Sequence, residues 1–182
     1  MAPFYTAKGD SGDTGFLGEG RIPKTSVRIE AVGSVDEASA ALGLARSLVE
    51  SERTRAIILQ VQKQLYQLMT ELSADPDVAD KFDIIGEEQV QWLEDQIASL
   101  ENAVVLPREF IIPGENPSSG ALALARTVVR RAERRAIALF EAKEIHKLTL
   151  IAYLNRLSSL IFILEVYESS LSGRGIRLVN EA

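Results

Sequence analysis

Arginines recur at helical spacing in one short stretch of a chain that is acidic overall. Arg126, Arg130 and Arg134 are four residues apart, whereas the 182-residue chain has a formal net charge of -6. Residues four apart lie on one face of a helix, so these guanidiniums would repel one another unless an anion or a carboxylate lies opposite. Guanidinium forks match phosphate oxygens and stay charged at physiological pH. The spacing therefore predicts a helix face that binds polyphosphate.

A glycine-rich segment near the N terminus is the second unusual feature. Five glycines within twelve residues alternate with polar residues: Gly9, Gly12, Gly15, Gly18 and Gly20, with Thr6, Lys8, Asp10, Asp13 and Thr14. Glycine lets backbone N–H groups face an anion, lysine adds a charge, and hydroxyl or carboxylate oxygens can hold hydrated magnesium. The spacing matches neither a Walker loop nor a Rossmann fingerprint. Composition alone leaves a ligand-binding arm and a merely mobile arm both open.

Five segments repeat apolar residues at intervals of three and four, which is typical of packed amphipathic helices. They cover residues 35–49, 61–72, 90–100, 122–139 and 150–171. The last alternates three and four throughout, as the core-facing seam of left-handed helix packing does. No strand-like alternation of useful length remains. The pattern predicts an all-α fold, a five-helix up-and-down bundle with an irregular glycine-rich N-terminal arm.

Residues typical of helix ends agree with these spans. Ser34 with Glu37 resembles a capping box, Asn116 followed by Pro117 resembles an N-cap with proline at the first helical position, and Gly173 closes the last helix. The length favours one domain, residues 1–182. Within it we expect an arm at 1–33, the bundle at 34–172 and a tail at 173–182.

Composition excludes several classes of protein. The chain is 46% hydrophobic and has no cysteine, so it has a globular composition without disulfides or thiolate chemistry, and we expect a cytoplasmic location. The start has no signal-peptide pattern. The most apolar stretch, 148–166, contains Asn155 and Arg156, which argues against a membrane span. The acidity, together with basic residues not interleaved with aromatics, disfavours nucleic-acid binding.

Five motifs occur in one order along nearly the whole chain: TAKGDSG at 6–12, AVGSVDE at 31–37, FIIPG at 110–114, ARTVVRRAER at 125–134 and YLNRL at 153–157. Together they resemble the ATP:cob(I)alamin adenosyltransferases of the PduO type. The resemblance implies a five-helix bundle that assembles as a homotrimer, with ATP and the corrinoid bound at each subunit interface. A cobalamin reductase is a further candidate partner.

The family's reaction agrees with the residue inventory. Cobalt(I) attacks the 5′ carbon of ATP, which forms a carbon–cobalt bond and expels tripolyphosphate. Because charge develops on the phosphates, catalysis needs cations and Mg²⁺ rather than a general base. One histidine and no cysteine are a poor inventory for acid/base or nucleophilic side-chain chemistry.

The resemblance also implies roles for individual residues. ATP would be bound by the arm through Thr6, Lys8, Gly9, Thr14, Gly15 and Lys24, and by the bundle through Arg130, Arg131, Glu133, Arg134 and Asn155. Arg130 and Arg134 would be phosphate ligands, while Arg131, about 100° around the helix, would serve the neighbouring chain. Glu133 would bind Mg²⁺ or orient an arginine. Asn155 would offer its amide to the nucleotide or its metal.

Three residues carry catalytic roles by the same resemblance. Asp36 and Arg126 would form a salt bridge between subunits that positions the site. Phe110 would lie against the lower face of the corrin, exclude water or the axial base, and leave cobalt(II) four-coordinate and easier to reduce. Without the resemblance, Asp36 is equally a first-turn carboxylate beside the Ser34 capping box, and Phe110 a loop anchor in the core.

The sequence departs from the family pattern at three points. Ala7 replaces the basic residue after the arm's threonine, so Lys8 is the candidate substitute; Glu115 follows Gly114 where a second glycine is usual; and Ala123 replaces a histidine. Outside the motifs, we expect His146 to be solvated and Trp92 to pack in the core or an interface.

Two other function classes remain open. A helical interaction scaffold would explain the bundle but gives no reason for the arm and the arginines. An ATP-dependent phosphotransferase would explain both, yet it should show a hydroxyl-activating carboxylate and a recognised phosphate loop.

Overall fold

The structure is a computed structural model that describes residues 5, 7–75, 77–173 and 175–180. Its five helices are α1 (Val27–Leu48), α2 (Glu52–Ser73), α3 (Glu87–Glu101), α4 (Pro117–Glu141) and α5 (Leu148–Leu171). Helix α4 packs against both α1 and α5, while α2 packs mainly on α1 and α3 on α5. The predicted all-α five-helix bundle is confirmed.

The predicted apolar seams form the core. On α4 the seam is completely buried: Leu122, Ala125, Val129, Ala132, Ala136 and Leu139. Three of these are alanines, and the facing α1 seam also contains buried alanines, at positions 31, 38 and 45. Small side chains let helix axes approach closely. The α1–α4 pair is consequently the most extensive helix contact in the bundle, and it fixes the orientation of the arginines on α4.

The first helix begins eight residues earlier than predicted, at Val27. Ser26 is its N-cap and accepts a hydrogen bond from the Ile29 N–H at 3.4 Å. Ser34 lies inside the helix, where its hydroxyl donates to the Glu30 carbonyl at 2.8 Å. The predicted capping box at Ser34 was therefore wrong, and the arm ends at residue 26 rather than 33. Gly33 disfavours a helix by only about 1 kcal/mol, and the buried residues on both sides of it outweigh that cost.

Two other predicted helix ends are confirmed. The Asn116 side chain accepts from the Ser119 N–H at 2.8 Å and Pro117 is the first residue of α4. Gly173 follows the last helix with a φ of 66°, a left-handed conformation that glycine adopts at little cost.

Within the described residues, four two-residue strands form two small antiparallel pairs. In the arm, β1 (Asp13–Thr14) pairs with β2 (Ile22–Pro23); near the C terminus, β3 (Ile111–Ile112) pairs with β4 (Arg177–Leu178). The loop before α3 also contains a 3₁₀ turn, Ala79–Phe82. Strands this short show no alternating pattern, so the sequence could not reveal them. They fold the arm on itself and tie the C-terminal segment to the loop before α4.

Arg28, on the first turn of α1, is a structural anchor within the bundle. Its side chain is 4% exposed and donates to the Leu72 and Ala74 carbonyls at 2.9 and 2.5 Å and to the Glu144 carboxylate at 2.6 Å. The last carbonyls of a helix lack internal partners, and a cation satisfies them. Arg28 therefore joins the start of α1 to the end of α2 and to the loop before α5.

Helix α5 runs through the middle of the bundle. Of the helices in the described ranges, it alone is long and apolar enough to cross a membrane, and 61% of its most apolar window is buried inside the protein. Its packing against α3 and α4 accounts for its hydrophobicity.

Candidate active site

The arm is folded back on itself by hydrogen bonds from two basic residues. The Arg21 guanidinium donates to the Lys8 and Asp13 carbonyls at 2.9 and 2.7 Å. The Lys24 N–H donates to the Gly12 carbonyl at 2.8 Å. The described part of the arm is thus a structured turn held against β2.

The side chain of Lys24 lies against Gly9. A Cβ built on Gly9 would be 3.1 Å from the Lys24 Nζ, which is tighter than an ordinary contact. Glycine at this position lets the lysine ammonium approach the backbone of the turn. Two ATP-binding candidates, Gly9 and Lys24, are therefore brought together, and the carbonyl of a third, Lys8, is held by Arg21. Thr6 lies outside the described residues.

The end of the arm forms one wall of a groove against α1 and α2. Leu17 docks the arm on the end of α2, since its N–H donates to the Ser73 carbonyl at 2.9 Å and its carbonyl accepts from the Asp75 N–H at 2.7 Å. The groove, which we call the arm groove, has a volume of about 650 Å³. It is lined by Thr14, Gly15, Phe16, Leu17, Ile29, Val32, Gly33, Asp36, Tyr66, Met69, Thr70, Ser73 and Phe82. Three of the predicted site residues, Thr14, Gly15 and Asp36, meet here.

A second groove, the arginine groove, runs between α3, α4 and α5. Its volume is about 590 Å³, and both grooves fall within the roughly 300–1,000 Å³ usual for small-molecule sites. It is lined by Glu94, Ile97, Ala98, Glu101, Leu106, Arg126, Arg130, Arg156, Ser158, Ser159, Phe162 and Ile163. The structure brings Arg126 and Arg130 together as their spacing predicted. Arg134 lies one turn further, and its Nη1 donates to the Arg130 carbonyl at 3.0 Å.

The arginines of α4 fall into two sets according to their carboxylate partners. Arg131 pairs with Glu37, and Arg135 lies 3.8 Å from Glu30, so both face carboxylates of α1. Arg126, Arg130 and Arg134 form no ion pair with any carboxylate in the part of the chain that the structure describes. The helix therefore has a charge-compensated face toward α1 and an uncompensated cationic face. Like charges four residues apart destabilise a helix, so an anion bound to the second face would relieve repulsion.

Glu133 and Asn155 belong to a chain of side chains across three helices. The Asn155 amide donates to Glu133 at 2.8 Å and accepts from Arg156 at 3.0 Å, and Arg156 donates to Glu94 at 2.8 Å. Among described residues there is no cluster of three or more aspartate, glutamate or histidine side chains that could hold a metal alone. Mg²⁺ on a nucleotide normally takes one or two carboxylates, with phosphate and water as its other ligands. Glu133, with Asn155 beside it, fits that mode.

Asp36 and Arg126 do not meet within one chain. Asp36 is exposed and lines the arm groove, whereas Arg126 lines the arginine groove. The structure places Asp36 well inside α1, so the alternative interpretation as a first-turn carboxylate was wrong. A salt bridge between these two residues requires two chains.

Phe110 projects into solvent. Its side chain is 87% exposed, while its carbonyl accepts from the Val179 N–H at 2.9 Å beside the β3–β4 pair. The alternative interpretation as a core anchor was therefore wrong. A backbone held by a strand pair with an exposed aromatic side chain is suited to cover an apolar ligand.

Comparison with known proteins gives a family. Residues 4–168 match the family model described as Cobalamin adenosyltransferase. The chain belongs to this family. The chain is also similar to a corrinoid adenosyltransferase of Bacillus subtilis (strain 168), with 36% identity over 176 residues, covering 94% of this chain and 89% of the relative. Corrinoid adenosyltransferase PduO of Salmonella typhimurium is 35% identical over 167 residues, covering 91% of this chain and 49% of that longer protein.

A solved structure of the same family has the same fold. It is a variant PduO-type ATP:corrinoid adenosyltransferase from Lactobacillus reuteri complexed with cobalamin and ATP. The TM-score is 0.91 at 28% sequence identity, covering 98% of this chain and 100% of that one. The resemblance drawn from the five motifs is confirmed.

Within this family framework, the three sequence departures have structural consequences. Glu115 accepts from the Arg177 guanidinium at 2.6 Å, which ties the C-terminal segment to the loop before α4. Ala123 is 4% exposed and packs in the bundle. Ala7 adopts a positive φ of 55° at the beginning of the arm turn.

Two residues that line the arginine groove were missed by the sequence interpretation. Arg156 and Phe162 line the arginine groove, and the Arg126 guanidinium lies 5.9 Å from the Phe162 ring centroid. Their position on the apolar α5 helix was visible, but which face they occupy depends on helix rotation. The predictions for His146 and Trp92 agree with the structure, since His146 is exposed and Trp92 packs partly buried against the core.

Proposed function

We propose that this protein transfers the 5′-deoxyadenosyl group of ATP to cob(I)alamin, forming adenosylcobalamin and releasing tripolyphosphate. Family membership supports this reaction class. The observation that carries it is that Arg130 and Arg134 form no ion pair with a carboxylate of the described residues, while Arg131 and Arg135 on the same helix are paired. That arrangement suits a substrate whose leaving group is a polyanion.

The chemistry needs little from protein side chains except charge and position. The cobalt(I) electron pair attacks the 5′ carbon and forms the carbon–cobalt bond, while the bond from that carbon to the phosphate oxygen breaks and its electrons leave with tripolyphosphate. Arg130 and Arg134 bind the phosphates and stabilise the negative charge that accumulates on them. Glu133 and Asn155 would hold a Mg²⁺ ion that accompanies ATP, and its charge would add to that stabilisation.

The arm supplies the other contacts to ATP. Lys24 and Lys8 offer ammonium groups at the turn, Gly9 and Gly15 offer backbone N–H groups, and Thr6 and Thr14 offer hydroxyls. The close approach of Lys24 to Gly9 supports this grouping. Arg131 is paired with Glu37 of its own chain and faces away from the uncompensated cationic face of α4. It contributes its charge at the edge shared with a neighbouring chain.

A complete site needs two chains. The arm groove and the arginine groove have no lining residue in common, and each contains one member of the positioning pair, Asp36 in the first and Arg126 in the second. In the homotrimer, the arm groove of one subunit meets the arginine groove of the next. Closed cyclic symmetry then produces three identical interface sites.

Phe110 completes the corrinoid end of the site. Its exposed ring covers the lower face of the corrin, removes the axial ligand and brings cobalt(I) within reach of weak reductants. A cobalamin reductase in the cytoplasm would supply the electron. The aromatic ring touches the substrate and is in that sense a catalytic residue.

One incubation tests this function. Purified protein is mixed with MgATP and chemically reduced cobalamin, and the products are followed by absorbance and phosphate analysis. Adenosylcobalamin together with tripolyphosphate supports the proposal. ADP would instead indicate an ATP-dependent phosphotransferase, and unchanged ATP an interaction scaffold. Cobalamin left unreduced is the matched control, since it lacks the nucleophile.

A further inference from the structure

Helix α5 buries a carboxylate that the reaction described above does not use. Glu165 is only 2% exposed although it lies in the most apolar helix of the bundle. Its Oε2 is completely buried and has no hydrogen-bond partner among the residues that the structure describes. A buried carboxylate without partners is costly, so its position calls for an explanation.

Arg126, which lines the arginine groove, also has a buried polar atom without a partner among the described residues. The Nε of Arg126 is buried and likewise lacks an acceptor within the described ranges. Arg126 lies on α4, which packs along α5, and its guanidinium lies 5.9 Å from the ring centroid of Phe162, one turn before Glu165. The guanidinium and the carboxylate therefore lie on two helices in contact, and each keeps a buried polar atom without a hydrogen-bond partner in the described part of the chain. They form no ion pair with each other, so the carboxylate acts on the guanidinium through its charge.

The other charged groups around this part of α5 are engaged elsewhere. Arg156 pairs with Glu94 of α3, and Arg53 of α2 lies over the Tyr167 ring at 5.9 Å. Glu168, the next acidic residue of α5, accepts a hydrogen bond from the Glu50 N–H at 3.0 Å through its Oε2, while its Oε1 has no partner among the described residues. The Nε of Arg46 on α1 is also buried without an acceptor among them, but the positive charge that acts on Glu165 is that of Arg126.

The titration of Glu165 agrees with this arrangement. Burial raises the pKa of the Glu165 carboxyl to about 7, and the positive charge of Arg126 opposes that increase. The carboxyl therefore changes charge in the neutral pH range, and the neighbouring cation favours its ionised form.

We propose that Glu165 is a positioning residue: its carboxylate is the buried counter-ion of Arg126 and fixes the direction in which that guanidinium enters the arginine groove. Glu165 compensates the inner, buried edge of the guanidinium, which leaves the outer edge free for Asp36 of the neighbouring subunit. Phe162 supports the planar group from one face. The kinetic part of this inference rests on the proposed function, because it concerns the positioning role of Arg126 in that reaction.

The coupling between the two side chains is measured first, without any activity. The carboxyl carbon of Glu165 is titrated by NMR in the wild-type protein and in Arg126→Gln. Loss of the cation should raise the pKa of Glu165 further. An unchanged pKa would overturn the proposal. Because Arg126 lines a groove rather than the core, this variant should fold, and the measurement is valid even if Glu165 variants do not.

Kinetics then test the positioning role. Glu165→Gln keeps the shape and removes the charge; kcat should fall on the order of tenfold, with the KM for ATP changed by less than about twofold, since misplacement of a positioning group affects the transition state more than binding. The rise of kcat with pH through about 7 that we expect in the wild type should disappear. Glu168→Gln is the matched control, an equally buried carboxylate of the same helix away from Arg126, and it should retain the wild-type pH profile.

A double-mutant cycle separates positioning from a general structural effect. If Glu165 acts through Arg126, the Glu165→Gln change should cost little in an Arg126→Gln background. An equal cost in both backgrounds would refute the proposal. Should the wild-type protein form no adenosylcobalamin at all, the proposed function fails, whereas the NMR titration still decides whether the two side chains are coupled.

Discussion

The two grooves of the molecule balance their charges in different ways. The arm groove contains an exposed carboxylate, Asp36, between hydroxyl, glycine and apolar residues, whereas the arginine groove contains Arg126 and Arg130 without a carboxylate partner. The two grooves are separated within one chain, so the carboxylate of one does not meet the arginines of the other. We propose that each is half of a site, and that subunit contact brings the anion of one groove to the cations of the other.

A similar contrast distinguishes the two faces of α4. Arg131 and Arg135 are paired with α1 carboxylates and stabilise the contact between helices, while Arg126, Arg130 and Arg134 carry the uncompensated charge. Exposed ion pairs contribute only about 0–1 kcal/mol, so replacing a paired arginine should change little. The predictions below compare these faces and grooves, beginning with the largest expected effect.

Arg130→Ala should reduce kcat/KM for ATP by roughly 10- to 100-fold, because it removes a hydrogen bond to a charged group worth about 1.5–3 kcal/mol. Steady-state kinetics at varied ATP concentration measures the loss. Arg135→Ala is the control, since it removes an arginine of the same helix that faces Glu30, and it should stay near wild-type activity. Equal losses in both variants would contradict the division of α4 into a structural and a binding face.

Mixed oligomers test whether the two grooves belong to one site. Asp36→Ala impairs only the arm groove and Arg130→Ala only the arginine groove, so each homo-oligomer should be weakly active. In oligomers reassembled from an equal mixture, about a quarter of the interfaces combine two intact grooves, and activity should return to about a quarter of wild type. Each variant reassembled alone is the control. A mixture no more active than its components would show that one chain provides the whole site.

The bundle could be predicted because apolar residues recur at intervals of three and four along each helix. The seams on α1, α4 and α5 predicted which residues would be buried, with Leu171 at the exposed end of α5 as an exception. The start of α1 was misplaced because Gly33, Ser34 and Glu37 resemble a helix boundary locally, whereas tertiary packing continues the helix to Val27. Local end signals are worth about 1 kcal/mol, and a packed turn outweighs them.

The candidate site was predictable only in part. Spacing of four residues placed Arg126 and Arg130 together, but the pairing of Arg131 with Glu37 depends on how α4 is rotated against α1. The exposure of Phe110 depends on the β3–β4 pair, whose partners are more than sixty residues apart. Glu165 is one of two acidic residues in the apolar helix α5, and its relation to Arg126 depends on how α4 and α5 pack in three dimensions. Long-range geometry of this kind leaves no periodic signal in a sequence.

Phe110→Ala should slow turnover that starts from cobalt(II) by roughly tenfold, or about 1.4 kcal/mol, and leave turnover from chemically prepared cobalt(I) nearly unchanged. The reason is that the ring acts on axial ligation and not on ATP. Because the side chain is 87% exposed, the thermal midpoint should hardly change. Val105→Ala, at a side chain that is 92% exposed, serves as the surface control. Intact turnover from cobalt(II) in the Phe110 variant would refute the axial role.

The last prediction concerns stability rather than activity and distinguishes the buried carboxylate from the exposed charges of the grooves. The folded pKa of Glu165 is raised from 4.5 to about 7, so its contribution to stability is fully present below about pH 4.5 and is lost as pH rises through 7. The total change in the free energy of unfolding is on the order of 3 kcal/mol per chain.

Glu165→Gln cannot ionise, so the variant should gain stability relative to wild type between pH 5 and pH 8. Chemical denaturation at fixed protein concentration measures the difference in unfolding free energy between variant and wild type at pH 5 and at pH 8. Equal differences at both pH values would show that Glu165 does not ionise in this range, and it could then not balance Arg126 at pH 8. A stability gain combined with a kinetic loss would instead show that the ionised carboxylate is kept for positioning at the expense of the fold.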